Sequence, residues 1–401
     1  MLQHIQDKSV RDIFINISHF LDHFMMLIFA KAAYDAARHF GIGYQDIISY
    51  GTLGFVLFGA MAPIAARLAD RYSRSLMMVV FHFGIGIAAI FTSQVRSLDE
   101  LMMGLALIGI FASIFHPVGI AMLLRREGRV GLRLGINGVF GNMGVAAAPL
   151  IVGLLLLIGD WRMSFWVSGG ICLFYGIVFV FALKPQADMS ASHKSSSQAV
   201  AGFTKGWLRA LLALGLSTTA GGFIFGAMTF LVPRYFEISM TEVSVSVAVT
   251  GLLASIVYAV ASFAQIGVGW LIDRVSPRMV LFSMAAGQGV FLYAASQFTD
   301  LALMAVMIMA MSFVFGQIPI IDAIMVRYVP DEWRTRILSI KFLLNLSVGA
   351  SVLPVCALLL QKGYSMASLF MIMSAMATVI MAAALFLPSL GRAKEFQEKT
   401  A

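Results

Sequence analysis

Twelve apolar runs, each close to the length needed to cross a lipid bilayer, constrain this chain more than any other feature. They fall near residues 13–37, 46–66, 75–95, 101–124, 134–158, 163–183, 207–232, 243–271, 279–298, 301–326, 337–361 and 366–388. A helix rises 1.5 Å per residue, so about 20 apolar residues cover the hydrocarbon core. The chain has 401 residues, of which 60% are hydrophobic and 12% charged. A soluble domain carries roughly 25% charged residues, so this composition cannot cover a water-facing surface. It excludes a soluble enzyme, a nucleic-acid-binding module and a disordered protein. The net charge of +8 therefore reads as basic residues gathered in cytoplasmic loops, not as a nucleic-acid partner. The expected fold is an all-α membrane protein with twelve transmembrane helices.

An even number of spans puts both termini on one side. With the N-terminus inside, 21 of the 28 Lys and Arg fall on the inner side, five on the outer side, and Lys31 and Lys341 within spans. That bias predicts cytoplasmic termini and a multi-pass protein of the inner (plasma) membrane. No small-residue cleavage site follows the first run, which is expected to stay as span 1. Trp161, Trp166, Trp207, Trp270 and Trp333 lie near predicted span ends and read as interfacial anchors. Cys172 and Cys356 sit in apolar runs, at a spacing that makes neither a disulfide framework nor a CxxC metal site.

The longest polar stretch between spans, 184–206, is Ser-rich and central. It predicts a flexible cytoplasmic linker between an N-terminal six-helix bundle, 1–183, and a C-terminal one, 207–391, with a cytoplasmic tail at 392–401. An internal repeat supports that division. Asp70-Arg71 with Arg74 after span 2 matches Asp273-Arg274 with Arg278 after span 8, and Pro117 and Pro149 match Pro319 and Pro354. The offsets all lie close to half the chain length, as in transporters whose two pseudo-symmetric halves rock about a central site.

At these residues the chain resembles the major facilitator superfamily, whose loop motif after span 2 is Gly-x-x-x-Asp-Arg-x-Gly-Arg-Arg. Here Ala66 and Ser73 replace the two glycines, while Asp70, Arg71 and Arg74 are kept; the second copy keeps Gly269. Gly144 to Gly153, with Pro149, is similar to a span 5 element of proton-driven exporters, departing at Ala148 and Val152. A closer similarity is to the fosmidomycin-resistance-like branch. It rests on Ser18-His19 with Asp22 in span 1, Ser113 with Phe115-His116-Pro117 in span 4, and Gly141-Asn142-Met143-Gly144 in span 5. The resemblance implies the major facilitator fold, with spans 1, 4, 7 and 10 lining a substrate cavity.

An ionisable group at bilayer depth costs at least about 2.5–3.5 kcal/mol on insertion scales, so it faces a partner or a cavity. His19, Asp22 and His23 share one face of span 1. Asp22 lies roughly 14 Å from the inner end of its span and His116 roughly 12 Å from the inner end of span 4, at 1.5 Å per residue. These four residues are expected to meet as one polar cluster on the N-terminal half's cavity wall. A carboxylate beside histidine can load a proton on one side and release it on the other, or bind substrate. The plainer alternative is helix-to-helix hydrogen bonding. Metal binding is a third use of two histidines and a carboxylate, but no metal site is assigned, and the 26 methionines read as apolar filler.

In the C-terminal half, Asp322 and Lys341 lie at matching depth on consecutive spans and are expected to pair, either as a static bridge or as a coupling pair. Lys31 and Asp35 sit near the outer end of span 1, where snorkelling is the default and closing an outer gate the alternative. Asn137 reads as interhelical glue, and Asn142 as a candidate substrate contact. Asp70, Arg71, Arg74, Asp273, Arg274 and Arg278 are expected to form a cytoplasmic gate.

These features predict a secondary active transporter moving a small solute by alternating access, with proton-coupled export of drugs or metabolites favoured. Uptake of a small anion, metal or metal chelate is the alternative within that class. A non-transporting receptor or assembly factor on the same fold is the alternative from another. No Walker motif is present, so ATP is not the direct energy source. No cofactor, catalytic residue or obligate protein partner is expected; the partners are the solute, protons and the lipid bilayer.

Overall fold

The computed structural model describes residues 8–124, 130–182, 206–243, 246–272, 274–328 and 331–388. Of the predicted linker and tail, only Gly206 is among them. Every regular element among the described residues is helical. The first half holds α1 (Lys8–Phe40), α2 (Tyr44–Ile47), α3 (Thr52–Ala60), α4 (Ala62–Arg71), α5 (Arg74–Gln94), α6 (Leu98–Ala112), α7 (Phe115–Leu124), α8 (Val130–Ile158) and α9 (Trp161–Ala182). The second holds α10 (Trp207–Ser239), α11 (Val247–Ile272), α12 (Pro277–Ala295), α13 (Asp300–Tyr328), α14 (Asp331–Gln361) and α15 (Met366–Phe386).

Twelve spans arise because α2 to α4 act as one bent unit, and α6 and α7 as another. The first bends by 41° at Met61, where Pro63 opens α4 without an amide donor. Among the described residues, ten units are long and apolar enough to cross a bilayer, the bent one makes an eleventh, and the described apolar part of α14, Ser347–Gln361, is shorter. Short turns stop one helix and start the next. Ser73, Ser97 and Ser365 each accept the amide of the residue three positions on, capping α5, α6 and α15.

The two halves pack alike. α1 and α10, the first span of each, are both 33 residues long. α1 lies on α8 as α10 lies on α14, and α5 on α9 as α12 on α15. Proline falls inside α8 and α14 at the matching positions Pro149 and Pro354. The halves meet along α8 against α11 and along α3 against α14. Large apolar side chains such as Phe174, Phe181 and Ile158 stand more than two-thirds exposed on the outside. In water such a surface would aggregate; against lipid it costs nothing. This is a multi-pass membrane protein built from two similar helical bundles.

Candidate functional site

Span 1 carries its polar residues on one stripe, and the packing of α1 on α7 and α8 decides what each meets. Nδ1 of His19 lies 2.7 Å from the carbonyl oxygen of Asn137 on α8. With that oxygen as acceptor, Nδ1 carries the proton and Nε2 is left as the basic nitrogen. The His19 ring stacks on Phe115, with centroids 4.7 Å apart. The Asn137 amide in turn donates to Asn16 at 2.9 Å, the helix-joining role expected of it. Asp22 is fully buried, and its Oδ2 lies 3.5 Å from Nε2 of His116 on α7, a close contact rather than a formed hydrogen bond. His23 and His116 are half-buried. One ring nitrogen each from His19, His23 and His116 lie within 4.8 Å of one another, close enough to share one ion.

The histidines open onto a cavity of about 420 Å³ between the two halves. Aromatic rings Phe55, Phe58, Phe225 and Phe230 make much of its wall, and Asn142, Gln265, Gln317, Lys341 and Asn345 supply polar groups. Nδ2 of Asn142 is buried without a hydrogen-bond partner, which a solute in the cavity could satisfy. Gln317 is held by Gln288, whose amide reaches its Oε1 at 2.5 Å. Among the described lining residues the ionisable groups are the three histidines and Lys341; none is a carboxylate.

At the end of the bundle away from the termini, the halves are tied together. Lys31 of α1 donates to Glu237 of α10 at 2.5 Å and to Thr250 of α11 at 3.1 Å. Arg234 holds the other oxygen of Glu237 at 2.9 Å and lies over the ring of Tyr34, 3.4 Å from its centroid. Gln361 donates to Asp46 at 2.9 Å, joining α14 to α2. Gly251 sets α11 directly against α8: a Cβ there would stand 2.2 Å from the carbonyl oxygen of Pro149.

Lys31 is only 2% exposed, so it does not snorkel, and it does not pair with Asp35. Asp35 instead accepts the amide of Trp161 at the start of α9, at 2.9 Å. Trp161 is fully buried against Phe40 and Phe165, so it is a packing residue and not an interfacial anchor. Trp166 and Trp270 are more than half exposed, as anchors would be.

The opposite end differs. Asp70 is exposed and meets Arg74 four residues on at 3.4 Å, and Arg71 lies over the adjacent Tyr72 ring. Arg274 bonds the carbonyl of Trp270 on its own segment at 3.0 Å. Arg278 is half-buried in the first turn of α12. Asp273 and the side chain of Asp322 lie outside the described residues. Asp70, Arg71, Arg74 and Arg274 thus engage their own segments in this arrangement.

Three participants are not among the residues singled out from the sequence. Glu237 and Arg234 close the far end, and His82 is buried in α5, 3.0 Å from the Ser18 hydroxyl. The pair Arg234 and Glu237, three residues apart at the depth of Lys31, was the signal available for the first two.

Similarity to known proteins agrees with this architecture. A puromycin resistance protein of Streptomyces alboniger is 29% identical over 132 residues, 32% of this chain and 26% of that protein. The multidrug resistance protein MdtG of Serratia proteamaculans is 24% identical over 249 residues, 60% of each chain. A triacylglyceride transporter of Mycolicibacterium hassiacum is 26% identical over 194 residues, 46% of this chain and 34% of that protein. The chain thus spans between 26% and 60% of the length of these curated relatives. Two solved structures share the fold. A bacterial homolog of the human lysosomal transporter Spinster, inward-facing and unoccupied, superposes with a TM-score of 0.71 at 16% identity, covering 94% of both chains. The nucleoside transporter NupG, in a mutant form, gives 0.73 at 12% identity, covering 94% of this chain and 99% of that one. The model of one family matches twice, over residues 13–241 and again over 236–401. With its paired bundles and a cavity between them, the chain belongs to the Major Facilitator Superfamily.

Proposed function

We propose that this protein is a secondary active transporter that exports a small solute by alternating access, driven by protons. The observation that carries the reading is a polar-spotted cavity between two similar bundles, latched at one end by Lys31 and Glu237, while Asp70 at the other end pairs with Arg74 of its own bundle. The basic end then faces the cytoplasm, in the inner membrane, with both termini, the linker 184–206 and the tail 392–401 there. The bundles 1–183 and 207–391 are the moving bodies. Export is supported by the names of the puromycin and multidrug resistance relatives. The motifs at Ser18 to Asp22 and Ser113 to Pro117 support a place in the fosmidomycin-resistance-like branch, with no claim on that substrate. The partners are the solute, protons and lipid.

Asp22 with His116 is the coupling pair in this reading, and Asn142, Lys341 and Gln317 contact the solute. Proteoliposomes with an imposed pH gradient test it, using a panel of drugs and organic acids and a pH-sensitive dye. Asp22→Asn should lose accumulation against a gradient yet keep passive exchange. Unchanged accumulation in that variant, in the face of intact wild-type transport, removes the coupling role. A second reading, proton-linked uptake of a small anion, draws on the lack of carboxylates among the described cavity-lining residues beside three histidines and Lys341. The same assay separates the two by the direction of the pH change.

A further inference from the structure

We propose that His19, His23 and His116 form a three-nitrogen binding site for a divalent late transition metal ion of the Zn²⁺ type, which makes a metal or metal-bearing solute the cargo of the central cavity. The inference rests on the reading of that cavity as the transport site.

The donor set is the first argument. Two helices bring three imidazoles together with a nitrogen from each inside a 4.8 Å span. Neutral imidazole suits zinc, copper and nickel, and it disfavours the hard cations that want oxygen. Zinc binds nitrogen at about 2.0–2.1 Å, so three such donors sit roughly 3.3 Å apart around a tetrahedral ion. The present spacing closes to that by turning the rings of His23 and His116, both of which border open cavity.

The surroundings are the second argument. A histidine that binds metal through one nitrogen is usually held through the other by an oxygen acceptor, which fixes the ring and raises its basicity. His19 has this arrangement: Nδ1 is engaged by the Asn137 carbonyl, and Nε2 is buried with no hydrogen-bond partner. His116 turns Nε2 towards Asp22, whose two oxygens are buried and make no hydrogen bond. A bound dication gives that buried carboxylate the positive charge it lacks, and the carboxylate offsets part of the ion's charge in a low-dielectric site. Asp22 thus stands behind His116 rather than among the three ring nitrogens.

The cavity is the third argument. Three protein donors leave at least one coordination position on a tetrahedral ion, and the apolar, ring-lined space beyond the histidines is far larger than an ion. That space accepts water or an organic ligand still attached to the metal.

The test uses the full chain, free of any polyhistidine tag, purified in detergent, with Co²⁺ as an optical probe. One equivalent of Co²⁺ should produce the visible d–d absorption of a low-coordinate nitrogen site, and Zn²⁺ should bleach it. His23→Gln and His116→Gln should each abolish the band. His39→Gln, an exposed histidine at the far end, should leave it unchanged. Asp22→Asn should weaken binding about 10–100-fold, as loss of an outer partner does. Size-exclusion profiles and thermal melts establish that the variants are folded. Binding no tighter in the wild type than in the variant with all three histidines changed to Gln overturns the metal site. Proton-linked transport of an organic solute persisting alongside that result would leave the transport reading standing. Stoichiometric metal binding with no movement of Zn²⁺ or a Zn²⁺ chelate into proteoliposomes would overturn the assignment as cargo.

Discussion

Lys31 and Glu237 lie 206 positions apart in the chain, yet their side chains meet at 2.5 Å across the two halves, 1% and 10% exposed. The pair joins the first span of one bundle to the first span of the other. It therefore holds this arrangement of the halves, and the proposed alternating-access cycle requires it to break in the other.

The two partners should not be equivalent. Removing Glu237 leaves Lys31 buried with only Thr250, whereas removing Lys31 leaves Glu237 with Arg234. An uncompensated buried charge costs about 3–5 kcal/mol, more than a hundredfold in the balance between states at 1.4 kcal/mol per factor of ten. Glu237→Gln is expected to open the far end more than Lys31→Met does. A cysteine at Gly349, which lines the cavity and has no atom crowding its Cβ position, reports this. An impermeant maleimide should label it from the far side in Glu237→Gln, and only weakly from there in the parent.

Gly251→Ala should act in the same direction by shape. Its added methyl would meet the Pro149 carbonyl at 2.2 Å in the state with the far end closed. Overpacking of this kind costs about 1–3 kcal/mol. Gly109→Ala is the contrast, because its methyl would meet the Gly54 carbonyl at 2.0 Å inside one bundle. The first should change maleimide access at Gly349→Cys with a small shift in melting temperature. The second should lower the melting temperature without changing which side is accessible. Identical behaviour of the two would remove the distinction between a moving and a fixed interface.

Asp70→Asn should leave stability unaltered. Asp70 is exposed and Arg74 half-buried in this arrangement, and solvent-facing pairs of this kind contribute about 0–1 kcal/mol. If these residues form the cytoplasmic gate, they do so when that end closes, and the variant then loses transport while keeping its melting temperature. Transport at the parent rate would leave Asp70 a solvated surface residue.

The hydrophobic pattern and the polar stripe at His19, Asp22 and His23 made the spans and the N-terminal cluster legible. The stripe worked because charge is costly in lipid, and because depth along two helices can be counted from their ends. Counting could not say which side of His116 Asp22 would occupy, since that depends on ring rotation. The far-end latch was hidden for a different reason. Lys31 has Asp35 four residues on, a local partner that satisfies the pattern, but Asp35 is drawn away to cap α9 through the Trp161 amide. Arg234 looked like a loop residue because the apolar run ends before it, while α10 continues to Ser239. Trp161 misled in the same way, since nearness to a span end says nothing about which face of the helix it occupies.

The wall of the cavity opposite the histidines owes its room to missing side chains. Gly221, Gly222 and Gly226 of α10 border it, and a Cβ on them would approach Gln317, Asn345 and Val352. The ionisable cluster sits on the other half. A lineage could therefore reshape that wall by single changes along one helix, while the histidine cluster on the other half stays as it is.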